Sequence, residues 1–539
     1  MSGGWFVVVR GVGGRVGVQV VVCGGGVVGL LVACVLAGRG VRVVVVEAGV
    51  EVCRRPRATT VHARAVQCLV RGGHLAGLAG LVGAGGGAGL AGAGGVAGSG
   101  PAGVGVGGVF HFAGLGGLSI SVPVGEPVPI LKCSQEVLER HFEGRARALG
   151  VRVLRGYRVV EVCEGPGGVV VRAEGAEGRV EFVGVCVVGA DGARSVVREQ
   201  GGFVSRSYPA TVSAMAGDVR LVGGGGLEAG WHRTERGWVV VKEVGGGVVR
   251  LRTLNCGGAV AGRGVPLSVE ELGREVSWIV GRDVAMGEGR WLSRFSDFSR
   301  LARSYRRGRV FLAGDAAHVH FPIGGQGLST GLLDAVDLGW KLAFAVRGWA
   351  GEGLLDSYDG ERRPAAQRVI DHTRAQLALM RPGPELDPLR ALFGELLAGG
   401  GESGVLASMV SAQDTVLPAR GAGSSPWEGR FLPNVGLVTG EGATDVIALL
   451  GEGRPLLLLF GGSGSAGYVE QARGWAGVLR VVHAEPVPEV PCEALLVRPD
   501  GYIAWASGGE GPAAALTAYF GAAGGRGAGA GGLLAASVS

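Results

Sequence analysis

Residues 20–47 read VVVCGGGVVGLLVACVLAGRGVRVVVVE, and this stretch decides the fold. A valine-rich run over 18–23 predicts a buried strand, and residues 27–37 have the apolar density of a helix. Two glycines end that helix, and a β-branched run over 41–46 predicts a second strand. A strand, a helix and a strand in this order form a βαβ unit, which implies a parallel sheet.

Three glycines inside this unit, Gly24, Gly26 and Gly29, have the spacing G-x-G-x-x-G. The first permits a tight turn, the second lets backbone N–H groups approach a pyrophosphate, and the third lets helix and strand pack closely. Glu47 ends the second strand about 20 residues further on, where an acid binds ribose hydroxyls. An ordinary glycine turn is the alternative in a chain this rich in glycine, but the flanking strands and the acid favour a dinucleotide.

The composition excludes several classes of protein. The 539 residues are 47% apolar and 18% charged, with a net charge of +6. At roughly 100–200 residues per domain, this length predicts about two to four domains. The basic residues are scattered and form no block with aromatic residues, so we expect no nucleic-acid partner. Nine cysteines without a C-x-x-C pair argue against a disulfide framework or a zinc site and favour a reducing cytoplasm.

One stretch has the length and the uncharged composition of a membrane-spanning segment. Residues 20–38 carry no charge and are long enough to span a bilayer, and the run ending in Cys34 resembles a lipoprotein cleavage box. The buried strand, turn and helix are the preferred interpretation, because the glycines have fixed offsets and a second strand with a terminal acid follows. We therefore expect no membrane association.

Two further strand ends carry an aspartate close after a glycine, as Gly189-Ala190-Asp191 and as Gly314-Asp315. Residues 189–198 read GADGARSVVR, and residues 309–318 read RVFLAGDAAH and run into FPIGGQG over 321–327. An apolar strand that ends in Gly-Asp directs a carboxylate at a cofactor hydroxyl. The glycine-rich turn then opens a helix at Leu328, whose N–H groups face an anion-like oxygen. A structural turn explains either segment alone, but not all three motifs in this order.

Together these motifs resemble the signature set of the flavoprotein aromatic hydroxylases related to para-hydroxybenzoate hydroxylase. The run over 314–343 is most similar to hydroxylases of aromatic polyketide pathways. Residues 497–501 and Trp505 resemble the thioredoxin-like domain appended to that subgroup, here without a redox cysteine pair. Smaller segments that carry the resemblance are Arg57-Ala58 with Arg64, Ser134-Gln135 with Leu138-Glu139, residues 291–295, and Tyr358 with residues 361–364.

The resemblance implies an α/β protein with a Rossmann-like FAD-binding domain around a parallel sheet, a β-sheet-rich substrate domain and a C-terminal thioredoxin-like domain. The expected boundaries are 17–204 and 296–380 for the two parts of the FAD-binding domain, 205–295 for the substrate domain, 381–428 for a helical linker, 429–520 for the thioredoxin-like domain and 521–539 for a flexible tail. Residues 134–150 are expected to form a helix with Leu138, Phe142 and Ala146 on one face. Residues 78–108, almost all small or apolar, are expected to form a loose helix and loop.

The resemblance also implies roles for individual residues. Gly24, Gly26, Gly29 and Glu47 would bind the ADP half of FAD, and Arg57 and Gln135 the pyrophosphate and ribityl region. Asp191 would lie near the FAD and nicotinamide phosphates, and Asp315 would hold a ribityl hydroxyl. The isoalloxazine would be lined by Pro322, Gly324, Gly325, Gly327 and Leu328.

No catalytic base can be named from the sequence. His318 and His320 are expected to pack or to form hydrogen bonds, and His62 is assigned no site role. No histidine spacing indicates a metal. The chain departs from the family at Val27, where proline is usual, and at Ser329 and Asp337, where asparagine is usual or common.

The implied activity is an FAD-dependent monooxygenase reaction. NADPH or NADH and O2 would be consumed, a flavin hydroperoxide would form, and a phenolic, polyketide-derived aromatic ring would be hydroxylated. Epoxidation, Baeyer–Villiger insertion and a flavin-binding protein without turnover are the alternatives. The expected state is a cytoplasmic monomer or homodimer.

Overall fold

The computed structural model describes residues 18–56, 58–78, 107–222, 227–259, 265–399, 403–420, 425–461 and 464–524. Arg57, most of the segment 78–108 and most of the predicted tail therefore lie outside the described residues. In the described part, no helix has both the length and the apolar character needed to cross a membrane.

Within the described ranges, fifteen elements precede residue 201. They are β1 (Val20–Cys23), α1 (Val27–Ala37), β2 (Val43–Glu47), β3 (Thr60–His62), α2 (Ala63–Arg71), β4 (Gly107–Phe112), β5 (Leu115–Ser121), β6 (Ile130–Lys132), α3 (Gln135–Ala148), β7 (Arg152–Arg155), β8 (Tyr157–Gly165), β9 (Gly168–Gly175), β10 (Gly178–Gly184), β11 (Cys186–Gly189) and α4 (Val196–Gln200).

The middle of the chain is mostly strand and leads into long helices. Its elements are β12 (Ser205–Tyr208), β13 (Ser213–Leu221), β14 (Gly230–Thr234), β15 (Gly237–Gly245), β16 (Val248–Asn255), α5 (Val269–Val280), β17 (Met286–Ser296), β18 (Ser299–Ala302), β19 (Arg306–Arg307), β20 (Val310–Leu312), β21 (His318–Val319), α6 (Gln326–Val346), α7 (Asp356–Met380), α8 (Asp387–Ala398) and α9 (Ser403–Ser411).

The C-terminal part is a smaller α/β unit. Its elements are β22 (Gly436–Thr439), β23 (Gly442–Asp445), α10 (Val446–Leu450), β24 (Leu456–Leu459), α11 (Ser465–Ala472), β25 (Arg480–His483), β26 (Ala494–Val497), β27 (Ile503–Ala506) and α12 (Ala513–Phe520).

The first sheet has the order β19-β20-β11-β1-β2-β7 and is parallel except at its β19 edge. Its central strand β1 pairs with β2 and β11, so the predicted βαβ unit is confirmed. Helix α1 has the predicted bounds, and β2 begins two residues later than predicted. Nearly every α1 residue is buried, since the helix packs against α3 and α6. The uncharged stretch is therefore the centre of the core.

Helix α3 confirms the predicted helix of residues 134–150. Its N-cap is Ser134, whose hydroxyl accepts a hydrogen bond from the Val137 N–H at 3.3 Å, as serine caps commonly do. Leu138, Phe142 and Ala146 are all buried on the face toward α1.

The second sheet is antiparallel, in the order β14-β15-β16-β13-β17. Helix α5 packs on one face, where alternate residues such as Val239 and Leu251 are buried with Leu272. The β4–β5 hairpin packs on the opposite face, where Phe112 belongs to the same apolar cluster as Trp238. The hairpin thus lies between the second sheet and the rest of the chain.

The sheet of the C-terminal unit has the order β25-β24-β26-β27, and only β24 and β25 are parallel. The strand predicted over 455–460 is β24, which is wholly buried. The α/β class, the parallel sheet, the strand-rich second sheet and the C-terminal unit are all confirmed.

A buried ion network joins this unit to α6 and α7. Arg498 contacts Asp337 at 2.8 Å, Glu361 at 2.9 Å and Asp500 at 2.5 Å. Lys341 contacts Asp337 at 2.9 Å and Glu361 at 2.7 Å. Asp337, at a position where asparagine is common in the family, thus binds the C-terminal unit through Arg498.

Candidate functional site

The three sequence motifs follow three neighbouring strands. The register aligns Cys23 with Gly189 and Gly189 with Leu312, so β1, β11 and β20 end side by side. Ligands of open parallel sheets bind outside the carboxyl ends of the strands. The loops that were separate in sequence therefore converge at the edge where a ligand is expected.

The three glycines of the first motif have different structural roles. Gly24 has a φ of +108°, and a Cβ there would lie 2.2 Å from the Ala190 carbonyl oxygen. A Cβ on Gly29 would lie 2.0 Å from the Gly24 carbonyl oxygen. Among the described residues, nothing lies within 4 Å of a Cβ on Gly26. The fold requires Gly24 and Gly29, whereas Gly26 borders open space in which a pyrophosphate can approach.

The N-terminus of α1 faces this space without a protein partner for its charge. It has neither an acidic residue in its first turn nor a side-chain cap. The first N–H groups of a helix have no acceptor within the helix, and they carry partial positive charge. This end of α1 is suited to a phosphate.

Glu47 is held beside the glycine loop by two backbone amides. Its Oε2 accepts from the Gly25 N–H and its Oε1 from the Gly49 N–H, both at 2.6 Å. Each carboxylate oxygen can accept more than one hydrogen bond. Glu47 is thus fixed at the strand end with capacity left for ribose hydroxyls.

The third motif is held by a buried carboxylate on α6. Asp334 accepts from the Gly314 N–H at 3.0 Å and contacts His318 Nε2 at 2.7 Å. Arg362 donates to its other oxygen at 2.9 Å. Burial alone would raise the pKa of Asp334, but the two neighbouring bases outweigh burial and hold it below its ordinary value. The hydrogen-bonding role predicted for His318 is confirmed.

Asp315 and Asp191 follow the strands of the third and second motifs, respectively. Asp315 is exposed, and its carboxylate accepts no hydrogen bond within the described part of the chain. Asp191 accepts from the Ser195 hydroxyl at 2.5 Å and the Val197 N–H at 3.2 Å, so it also fixes the start of α4. Burial raises the pKa of the Asp191 carboxyl.

The helix that follows the glycine-rich turn begins earlier than the sequence predicted. The helix expected to open at Leu328 begins at Gln326, because Gly325 has a φ of +61° and is already its N-cap. Gly327 and Leu328 therefore lie in the first turn of α6, among the N–H groups that have no intrahelical acceptor. Gly324 is also left-handed, with a φ of +74°, and Pro322 is exposed beside it.

Strand β3 holds this turn, in part through Ser329, a position where the family usually has asparagine. Ser329 Oγ accepts from the His62 N–H at 2.9 Å, and His62 Nε2 donates to the Gly324 carbonyl at 2.8 Å. The serine hydroxyl is thus engaged with β3. His62 was assigned no role from the sequence, since its partners are more than 260 residues away along the chain.

Replacing Ser329 by alanine is expected to reduce the free energy of unfolding by about 1–3 kcal/mol, because a buried N–H of His62 loses its acceptor. The matched control is Ser465→Ala in α11, whose hydroxyl is exposed, and we expect a change within about 0.5 kcal/mol. Urea unfolding of the two variants measures both values. Equal changes in the unfolding free energy of the two variants would show that the hydrogen bond between Ser329 and His62 does not stabilise the fold.

Two other residues singled out in the sequence, Gln135 and Val27, are not joined to the three motif loops by side-chain hydrogen bonds among the described residues. Gln135 is half-buried at the start of α3, and no hydrogen bond in the described part of the chain joins its side chain to the other site residues. Val27 is buried at the start of α1. No group of three or more His, Cys, Asp or Glu residues that could hold a metal occurs among the described residues.

An aromatic wall extends from the glycine turn to the second sheet. Its members are stacked or edge-on in series: His62 and Phe110 at 5.0 Å between ring centroids, Phe110 and His111 at 4.7 Å, His111 and Trp231 at 4.8 Å, and Trp231 and Trp238 at 5.8 Å. A Cβ on Gly325 would lie 3.9 Å from Phe110, so one end of the wall touches the turn. A flat apolar ligand can pack along such a surface.

These residues fit FAD. The Gly26 cradle and the α1 N-terminus suit the pyrophosphate, Glu47 suits the adenosine ribose, and Asp315 suits a ribityl hydroxyl. The N-terminus of α6 suits the oxygen-bearing edge of a flavin ring. Arg57, the other predicted pyrophosphate contact, lies outside the described residues.

Comparison with known proteins gives the same result. A family model described as "FAD binding domain" matches residues 17–373, and one described as "Aromatic-ring hydroxylase, C-terminal" matches residues 425–523. The chain is 35% identical to the 12-dehydrotetracycline 5-monooxygenase/anhydrotetracycline 6-monooxygenase of Streptomyces rimosus, over 93% of this chain and 99% of that protein.

Two further relatives are informative. The dialkyldecalin synthase of Streptomyces rugosporus is 39% identical over 72% of this chain and 78% of its own. The structure of the anhydrotetracycline hydroxylase OxyS from Streptomyces rimosus superposes with a TM-score of 0.82 at 33% identity, covering 94% of this chain and 99% of that one. This chain belongs to the FAD-binding, aromatic-ring hydroxylase family of flavoprotein monooxygenases.

Proposed function

We propose that this monooxygenase hydroxylates a phenolic ring of a polyketide-type aromatic compound, using O2 and NADPH or NADH. The observation that carries the proposal is the aromatic wall, which begins at the turn preceding α6. Relatives named for anhydrotetracycline oxidation support the same substrate class.

FAD, when bound, supplies electron transfer and oxygen activation. The chain's own residues bind it, orient the substrate and exclude water. The N–H groups of the first α6 turn would stabilise negative charge at the flavin edge. Pro322, Gly324, Gly325, Gly327 and Leu328 would line that edge, Asp191 would lie near the phosphates, and Arg57 and Gln135 would contact the pyrophosphate and ribityl region.

The direct test is purification, an absorbance spectrum and NAD(P)H oxidation with a panel of polyphenolic rings. We expect a flavin spectrum, and oxidation that an aromatic substrate stimulates and that yields a product with one added oxygen atom. Product structure separates hydroxylation from epoxidation and from Baeyer–Villiger insertion. A flavin-loaded protein that oxidises no NAD(P)H with any ring would favour flavin binding without turnover.

A second candidate is ring formation without net oxidation. It is favoured by the 39% identity to a relative named a synthase. Turnover of an unsaturated substrate under anaerobic conditions without NAD(P)H would support it, whereas strict dependence on O2 and NAD(P)H would exclude it.

Three structural expectations belong to the same proposal. The C-terminal unit is thioredoxin-like, as its strand order β25-β24-β26-β27 suggests, and it has no redox role. Residues 205–295 form the substrate-binding β-sheet domain, which contributes Trp231 and Trp238 to the aromatic wall. The protein acts in the cytoplasm as a monomer or homodimer.

A further inference from the structure

One face of the second sheet packs in part against the β4–β5 hairpin, and the strand register identifies its residues. Directly opposed residues of neighbouring strands share a face. Trp231 is opposed to Val240, and Val240 to Arg252, so Trp231 and Arg252 lie on the same side of the sheet. Trp238 belongs to that side as well, since it packs with Phe112 of the hairpin. This face therefore carries both tryptophans of the aromatic wall.

Two cations on this face have no acidic partner. Lys242 is opposed to Arg250, so it is a diagonal neighbour of Arg252, with about 7–8 Å between their backbones. Both side chains are exposed, and among the described residues neither is within ion-pair distance of a carboxylate. Arg250, by contrast, donates to both oxygens of Asp218 at 2.7 and 2.8 Å.

A third cation, Lys132, approaches the same space from the end of β6. Its Nζ donates to the Thr60 hydroxyl at 3.0 Å and lies 5.3 Å from the ring centroid of Phe110. A Cβ on Gly325 would lie 3.5 Å from Thr60, so Lys132 is placed between the glycine turn and the aromatic wall. Burial lowers the pKa of Lys132, and the like charge of Lys242 lowers it further. The two ammonium groups therefore interact across the space between β6 and β15.

The three cations are poorly compensated by the protein. Burial lowers the pKa of the Arg252 guanidinium, with Arg250 adding to the effect, although the Arg252 side chain is accessible to solvent. A cation that is accessible and yet surrounded by protein lies in a recess. Desolvation and like-charge repulsion both destabilise such a cation, and elsewhere in the same sheet Arg294 is paired with Glu271. Three unpaired cations beside one aromatic surface thus indicate a ligand that brings negative charge.

We propose that the aromatic substrate is an anion, whose carboxylate or ionised enol oxygen is held by Arg252 and Lys242, while Lys132 attracts it from the side of the glycine turn. A guanidinium has a planar fork of donors that matches two adjacent anionic oxygens. This assignment rests on the proposed function, because it identifies the class of ring that the aromatic wall accepts. Arg252 and Lys242 determine substrate specificity and take no part in oxygen transfer.

Two pairs of probes test the charge. 6-Hydroxy-2-naphthoate and its primary amide have nearly the same shape and differ by one negative charge on a carboxylate. 2-Hydroxy-1,4-naphthoquinone, which is ionised at neutral pH, and its methyl ether differ by one negative charge on an enol oxygen. Calorimetric titration of the FAD-loaded enzyme without NAD(P)H measures each dissociation constant, so turnover does not enter the measurement.

We expect the unmodified enzyme to bind the anionic member of at least one pair about tenfold more tightly or better, the size of one hydrogen bond to a charged group. The preferred pair identifies whether the enzyme recognises a carboxylate or an enolate. In Arg252→Gln the preference should fall to about threefold or less, and in Arg252→Glu the neutral probe should bind more tightly.

The matched control is Arg274→Gln. Arg274 is an exposed residue of α5, which packs on the opposite face of the second sheet. This substitution removes the same net charge from the protein without changing the face that carries Arg252. The preference for the anionic probe should stay at about tenfold.

Equal binding of the charged and neutral members of both pairs by the unmodified, FAD-loaded enzyme would overturn the proposal, as would an undiminished preference in Arg252→Gln. If Arg252→Gln is not recovered in folded, FAD-loaded form, Lys242→Met decides, and it must reduce the preference by about threefold or more. An enzyme that prefers no anion but oxidises NAD(P)H with uncharged phenols would refute only the anionic substrate. A protein that takes up no FAD, or that binds the anions but oxidises NAD(P)H with no ring, would refute the proposed function.

Discussion

Replacing Arg498 by methionine is expected to lower the free energy of unfolding by about 3–5 kcal/mol. The substitution leaves the buried Asp337 and Glu361 with Lys341 alone and takes away the cation that Asp500 contacts. Burial would raise the pKa of Glu361, yet Arg498 and Lys341 hold it well below its ordinary value. Without Arg498, this carboxylate must take up a proton or remain buried and poorly paired. Since domains are typically stable by about 5–15 kcal/mol, a loss of this size removes a large share of the stability and should make detachment of the C-terminal unit much more frequent.

The matched control is Arg480→Met in the same unit. Arg480 pairs with Glu441 and Glu452, both of which are exposed, so we expect a loss below about 1 kcal/mol. Urea unfolding with FAD present measures the free energies, and limited proteolysis near residue 425 reports whether the unit has detached. A loss of similar size in both variants would contradict a special role for the buried network.

Alanine at Gly26 is expected to reduce the affinity for FAD by about 10–100-fold, because its methyl group would occupy the space left for the pyrophosphate. Loss of one hydrogen bond to a charged group corresponds to about 1.5–3 kcal/mol, and each 1.4 kcal/mol is about tenfold in affinity. The folded apoprotein should be almost unaffected, since Gly26 has an extended backbone and the described residues leave room for a Cβ. Titration of apoprotein with FAD measures the affinity.

Two other glycine substitutions serve as controls for Gly26→Ala: one is expected to unfold the protein, and the other to leave FAD binding unchanged. Gly29→Ala should unfold the apoprotein, because its Cβ would lie 2.0 Å from a carbonyl oxygen. Gly467→Ala in α11 meets nothing within 4 Å in the described residues and should leave FAD affinity unchanged while raising stability by about 0.5–1 kcal/mol. If Gly26→Ala bound FAD as tightly as Gly467→Ala, the cradle would not be the pyrophosphate site.

Local patterns were sufficient to predict the core of the fold. The β1–α1–β2 unit depends on residues that follow one another directly, and their periodicity and glycine offsets are visible in the sequence. The convergence of the three motifs followed from the same prediction, since loops after neighbouring parallel strands meet at one edge. Helix α3 was predictable because its cap and its apolar stripe are also local.

The partners of single polar residues were not predictable. Ser329 and Asp337 were visible in the sequence only as departures from the family, because their partners His62 and Arg498 are 267 and 161 residues away. The early start of α6 depends on the left-handed Gly325, which packs against Thr60 of another strand. Contacts across such separations have no periodic signal in a single sequence.

Two neighbouring strands of the first sheet are far apart in the chain, which has a consequence for folding during synthesis. Strand β11 ends at Gly189, but its neighbour β20 begins only at Val310, after the whole second sheet. At about 5–20 residues per second, a ribosome would leave the valine-rich edge of β11 unpaired for roughly ten seconds. Such an edge readily pairs with other chains, so recombinant yield should depend on translation speed and on chaperones that shield nascent strands.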